Sequence, residues 1–203
     1  MMMLSLFITL PFYNIKTYDN YKTPLSSEQL FYTSRFFYDN WQWKTKTLLN
    51  KDILFYRTME YYNKIKNNGK ILNAYYRSNN SYIIGSLAIN YNGLEEIKSY
   101  KLNNYIRDKY SSRCYPLLTN LLVLEKYRKK KIGSKLVKKA LKELGHLDFR
   151  YVFVLVEKSK PELKMFYYKL GFRNLFNNST KELYNYFKKE CYYECLICYL
   201  YEV

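Results

Sequence analysis

The chain has 203 residues, 48% of them hydrophobic, which is enough for one domain of ordinary size and excludes disorder throughout. Its formal net charge of +17 favours anionic partners: nucleic acid, an acidic membrane surface or a phosphate-bearing small molecule. Lys and Arg are spread along the whole chain, and Asn, Lys, Tyr and Ile are all heavily used, so part of that charge and most of the 26 tyrosines read as compositional background.

The N-terminal stretch MMMLSLFITLPF is apolar but lacks a basic flank. It reads either as a leader, which would end before about Ser26, or as a first strand. Residues 1–25 are therefore set apart as a possible leader or flexible segment, and 26–203 as the folded domain. No run reaches the ~20 apolar residues of a membrane span. In SSEQLFYTSRFFYDNWQW, Ser26 or Ser27 is placed to cap a helix that presents Leu30, Phe31, Phe37 and Tyr38. Trp41, Trp43 and Tyr56 read as packing residues of the first helices. A second helix is expected from about Asp52 to Lys66, with Ile53, Leu54, Tyr61, Tyr62 and Ile65 inward and Asn67-Asn68-Gly69 at its end.

ILNAYYRS and YIIGSLAINY, divided by Asn79-Asn80-Ser81, form a hairpin. Residues 91–113 read as a long irregular connection. CYPLLTNLLVL (114–124) is a strand that is apolar on both faces in its second half, as in the middle of a sheet. A basic turn follows, and then Leu136, Val137, Ala140, Leu141 and Leu144 recur at helical spacing with Gly145 as the expected C-terminal cap. YVFVLVE (151–157) is a second buried strand. Ser159-x-x-Glu162 reads as a capping box, with Pro161 in the first turn of a helix that carries Leu163, Phe166, Tyr167 and Leu170 and stops at Gly171. FRNLF and ECLICYLYEV return to strands.

Cys114, Cys191, Cys195 and Cys198 are the four cysteines. Cys195-Leu196-Ile197-Cys198 has the spacing of a zinc or redox pair, but neither a second such pair nor a His pair completes four ligands, so no metal is expected. The single His, His146, lies in a polar turn.

The stretch LEKYRKKKIGSKLVKKAL carries the chemistry. Lys126, Arg128, Lys129, Lys130 and Lys131 fall between a strand and a helix start, followed at once by Ile132, Gly133 and Ser134. The first N–H groups of a helix have no internal partner, and the helix dipole adds positive potential there, so strand, tight turn and helix start together make an anion site. Charges alone would read equally as a solvated face or a localisation-like run.

NLLVLEKYRKKKIGSKLVKKAL followed by MFYYKLGF resembles the GNAT acetyltransferase family. Its signature is an apolar strand, then Arg/Gln-x-x-Gly-x-Gly/Ala opening a helix, and about thirty residues later a strand and a helix ending in Tyr…Leu-Gly-Phe. Element order, with a long insertion before the fourth strand, is similar to the plastid-type members that acetylate protein N-termini and lysines. The resemblance implies an α/β fold with a single GNAT domain, a mixed central sheet flanked by helices, whose strands around Val123 and Val154 part to admit acetyl-CoA. It implies backbone bonds from Leu121, Leu122 and Val123 to the pantetheine arm, and a pyrophosphate cradle from Arg128, Lys129, Lys130, Lys131, Ile132, Gly133 and Ser134. Tyr167 falls where the family has a Tyr that protonates the departing thiolate, a task suited to a phenol. Lys131 replaces the signature's first Gly, and Lys160 stands where many members have an Asn that contacts the cofactor. The acidic base of some relatives is replaced by Leu117 and Leu155, which leaves Glu157 or Tyr115 as the nearest candidates.

The expected reaction is acetyl transfer from acetyl-CoA to a primary amine, on a protein N-terminus or lysine, in the cytoplasm or a plastid-type organelle. A small-amine acceptor, a catalytically degenerate GNAT fold and a basic RNA-binding protein stay open as alternatives, although no RNA-binding motif is present.

Overall fold

The structure, a computed structural model, describes residues 13–19, 22–40, 51–76, 82–93, 100–110, 114–176 and 193–200. The elements are β1 (Tyr13–Tyr18), α1 (Ser27–Asn40), α2 (Lys51–Asn68), β2 (Gly69–Tyr76), β3 (Ile83–Asn90), α3 (Tyr100–Lys109), β4 (Leu117–Val123), α4 (Ile132–Gly145), β5 (Tyr151–Glu157), α5 (Pro161–Tyr168), β6 (Arg173–Asn174) and β7 (Tyr193–Tyr199). The strands form one seven-stranded sheet in the order β1-β2-β3-β4-β5-β7-β6, antiparallel throughout except for the parallel pair β4–β5. This is the expected mixed sheet with flanking helices.

Helices cover both faces. Leu30, Phe36 and Phe37 of α1 and Tyr62 and Ile65 of α2 pack on one face, over Ile71, Tyr75, Ala88 and Leu122. Leu102 and Ile106 of α3 extend that layer over Leu117 and Phe153. Ile132, Leu136, Val137, Ala140, Leu141 and Leu144 of α4 fill the opposite face with Leu72, Leu87, Val154 and Val156. That run on α4 is the helical period read in the sequence, and it is why the helix lies flat on the sheet. Lys70 of β2 adds a buried polar tie, pairing with Glu143 of α4 at 2.7 Å and with Asp19 at 3.7 Å.

Local signals held in several places. Ser26 caps α1 in a reciprocal box, since Gln29 N–H donates to Ser26 Oγ and Ser26 N–H to Gln29 Oε1, both at 3.1 Å. Gly171 ends the α5 turn at φ 91°, with Phe172 N–H donating back to Tyr167 O at 3.2 Å.

Other expectations are corrected. Residues 91–113 contain α3, because Leu102 and Ile106 stand one turn apart and bury completely in an otherwise polar segment. Phe31 and Ile53 lie on outer helix faces and are each 45% exposed, and Tyr56 is also exposed. Gly145 stays inside α4, and the left-handed residue that closes the turn is Asp148 at φ 58°. Ser159 does not cap α5: Lys160 is the N-cap residue, and its side chain makes no capping hydrogen bond. Trp41, Trp43 and residues 1–12 lie outside the described residues. Residues 13–18, part of the segment read as a possible leader, pair along their whole length with β2. Among the described residues no helix is long and apolar enough to cross a membrane.

Candidate active site

The site begins where β4 leaves β5. Their pairing consists of Leu117 with Phe153 and Leu118 with Val154, and it stops there. The divergence coincides with a bulge in β4. On the β3 side the register runs Ala88–Thr119 and then Ser86–Leu122, so an extra residue is accommodated between them. Asn120 takes it up in the left-handed region at φ 55°. Asn is one of the few side chains that tolerates this conformation.

Beyond the bulge the strand has one bonded edge and one free edge. Leu124 N–H donates to Ile84 O, so alternation along the ladder turns Leu122 toward β3 and Val123 toward the opening. Val123 O accepts from Arg128 Nε at 3.2 Å, which folds the basic turn back onto the strand end.

The turn is built from strained backbone. Lys129 and Lys131 both have left-handed φ, 59° and 60°. Lys131 is the N-cap of α4, and its side chain makes no capping hydrogen bond. The first intrahelical bond runs from Lys135 N–H to Lys131 O, so the N–H groups of Ile132, Gly133 and Ser134 precede any carbonyl one turn back. Arg128, Lys129, Lys130 and Lys131 are all exposed around them. Exposed cations, left-handed backbone and an uncapped helix start together suit a phosphate.

α5 closes the other side. A methyl group added at Gly133 would meet Phe166 Cζ at 3.6 Å and Val123 Cγ2 at 3.7 Å, so the helix start, the β4 end and α5 meet at this glycine. Tyr167, next on α5, is 4% exposed and its ring lies between Phe166 and Phe172, with centroids at 5.1 and 5.3 Å. Burial pushes its phenol well above the usual range, so it stays protonated at any working pH. Glu157 at the end of β5 pairs with Lys160 at 3.0 Å. Tyr115 is buried beside Phe153 in the α3 layer.

The structure thus brings Val123, Arg128 to Ser134 and α5 together, and sets Glu157 at the C-terminal end of β5, paired with Lys160 at the start of α5. Sequence reasoning missed a polar group behind the bulge. Tyr61 OH lies 2.7 Å from Thr119 Oγ1, and Tyr62 OH faces Ser86 and Asn120. The Thr119-Asn120 pair inside an otherwise apolar strand was the available signal. Cys195 and Cys198 line opposite faces of the sheet, and among the described residues no group of His, Cys, Asp and Glu could hold a metal.

Residues 75–174 match the family model of the acetyltransferase (GNAT) domain. No curated protein matches the sequence. Among solved structures the fold is similar to the PaiA N-acetyltransferase from Thermoplasma acidophilum in complex with coenzyme A, at 17% identity and TM-score 0.55, covering 92% of this chain and 99% of that one. It is similar to a chain of the NatC complex bound to Gag peptide and CoA, at 15% identity and TM-score 0.58, covering 92% and 98%. A chimeric spermidine N-acetyltransferase from Vibrio cholerae is similar at 14% identity and TM-score 0.55, covering 94% and 96%. The fold is that of the acyl-CoA N-acyltransferases, and residues 75–174 are a GNAT acetyltransferase domain, a class of acetyl-CoA-dependent enzyme. The β4 edge that β5 leaves after Leu118 and the start of α4 fit the two chemistries of that cosubstrate, an amide-bearing arm and a pyrophosphate.

Proposed function

We propose that this chain transfers the acetyl group of acetyl-CoA to a primary amine, and that the acceptor is the N-terminus or a lysine of a protein. The observation that carries the reading is the parting of β4 from β5 after Leu118 and Val154, directly beside an uncapped helix start ringed by four cations. A slot with amide groups on one wall and a phosphate cradle at its mouth is what a long, flexible thioester carrier needs.

In this reading the backbones of Leu121, Leu122 and Val123 line the arm, with Val123 the member turned to the opening. Lys129, Lys130, Ile132, Gly133 and Ser134 cradle the pyrophosphate, and Arg128 and Lys131 add charge. Acetyl-CoA supplies an activated acyl group on a thiol leaving group. The chain must then supply a place for the acceptor's proton and a proton for the thiolate. Tyr167 is our candidate proton donor, since burial keeps its hydroxyl protonated. Glu157 is our candidate proton acceptor, and its pairing with Lys160 holds the carboxylate at the end of β5.

The protein acceptor rests on element order, which resembles that of plastid-type members. A polyamine acceptor is the second reading, since the fold is shared with a spermidine N-acetyltransferase. Calorimetric titration with acetyl-CoA and with 3′-dephospho-acetyl-CoA tests the cosubstrate. Micromolar binding that weakens without the 3′-phosphate is expected, and no binding of either overturns the reading. Release of free thiol with N-terminal peptides, lysine peptides and polyamines then separates the acceptors. Turnover with polyamines alone would reject the protein acceptor.

A further inference from the structure

The wall behind the β4 bulge holds three buried polar atoms that share one need. Tyr62 is closed from solvent, its ring edge-on to Phe37 with centroids 5.9 Å apart. The side chains of Ser86 and Asn120 act on its hydroxyl as hydrogen-bonding neighbours, although neither reaches full hydrogen-bond geometry. Ser86 Oγ and Asn73 Oδ1 are likewise buried and unpartnered. Asn73 and Ser86 are register partners on β2 and β3, so their side chains leave the sheet side by side, with Cβ atoms about 5 Å apart. They do so under α1 and α2, because Asn73 Nδ2 donates to Thr33 Oγ1 at 2.8 Å and to Tyr75 OH at 3.3 Å. Those two bonds fix the amide's orientation and leave its oxygen as the free acceptor.

Buried hydroxyl and carbonyl groups are nearly always paired. A guest that serves two hydroxyls and a carbonyl oxygen at once must be small, must donate and must accept. Water meets all three conditions, and buried waters typically make about three such bonds.

The location gives that guest a role. Ser86 pairs with Leu122, the first regular residue beyond the bulge, and Tyr62 faces Asn120, the residue that makes it. Tyr61 holds Thr119 on the other side at 2.7 Å. α2 therefore braces the bulge at two successive residues, and the bulge sits where β4 leaves β5. We infer that Tyr62, Ser86 and Asn73 hold an internal water that keys α2 to the β4 bulge, which makes them positioning residues for the acetyl-CoA slot. This deepens the acetyl-CoA reading and rests on it.

Two measurements test it. A high-resolution crystal structure of the protein should show one water about 2.7–3.2 Å from Tyr62 Oη, Ser86 Oγ and Asn73 Oδ1. Calorimetric titration should show the acetyl-CoA Kd of Tyr62→Phe raised about fivefold or more over that of the unmodified protein. Direct bonding among the three side chains with no water overturns the inference. So does a Tyr62→Phe protein that melts earlier but binds acetyl-CoA as before, which is the pattern of a purely structural role. If Tyr62→Phe does not fold, Ser86→Ala takes its place, with the same Kd increase expected and an unchanged Kd overturning. If the unmodified protein binds no acetyl-CoA, the proposed function falls and the positioning role falls with it, whereas the crystal structure still decides the water.

Discussion

Gly133 and Phe166 face each other across the cofactor loop, and a methyl group at the glycine would rest 3.6 Å from the ring's Cζ. That is ordinary contact, and Gly133 has no left-handed φ, so the protein's own packing does not demand glycine here. The demand, on our reading, comes from the pyrophosphate. Gly133→Ala should leave thermal stability within about 0.5 kcal/mol. Gly133→Glu should weaken acetyl-CoA binding tenfold or more, because a carboxylate then stands at the phosphate cradle. Calorimetry on the two variants checks this, and equal affinity in all three proteins would remove the loop from the site.

Lys131 adopts φ 60° at the N-cap of α4, where a glycine would sit without strain. A left-handed non-glycine residue costs about 1–2 kcal/mol. Lys131→Gly should therefore raise the melting temperature by roughly 2–4 °C per kcal/mol recovered in a chain of this size. Thermal unfolding followed by circular dichroism reads it directly. A lower melting temperature would mean that the lysine side chain contributes more than its backbone conformation costs.

These two residues show what the sequence could reveal. The strand, turn and helix from 117 to 145 were legible because hydrophobic period and turn chemistry both act locally. The departure at Lys131 was legible as a missing glycine, but its left-handed backbone was not, since conformation there follows from how α4 docks on the sheet. The bulge at Asn120 was hidden for the same reason. A bulge is a relation between two strands, and LLTNLLV alone does not say which residue is the extra one. Helix α3 was missed because two buried side chains, Leu102 and Ile106, carry it among polar neighbours. Phe31 and Ile53 misled in the opposite sense, being apolar residues on solvent-facing helix surfaces.

Tyr167 separates a chemical role from a packing role. Its ring is held by Phe166 and Phe172, and its hydroxyl is the part our mechanism uses. Tyr167→Phe keeps the ring, so turnover should fall about tenfold or more while the acetyl-CoA Kd stays within twofold. Because burial raises the phenol's pKa, its ionisation should put no alkaline limb on the rate below pH 10. The sign for stability follows. A folded pKa above the unfolded value gives a contribution that is present below about pH 10 and is lost as pH rises further. Equal loss of affinity and turnover would assign Tyr167 to packing.

Cys195 is the clearest case of a group made inert by its surroundings. It lies on β7 within the α3 layer, and burial pushes its thiol up to about 12. Only the thiolate reacts with disulfide reagents, so Cys195 should resist labelling at pH 8 until the protein unfolds. Native and guanidinium-unfolded samples compared by mass spectrometry after labelling check this at the peptide that carries the residue. The same shift predicts a stability loss that starts near pH 9, where the unfolded thiol ionises, and continues toward pH 12. Rapid labelling of Cys195 in the folded protein would show that β7 opens far more readily than its burial implies, and would point to local unfolding at that side of the sheet.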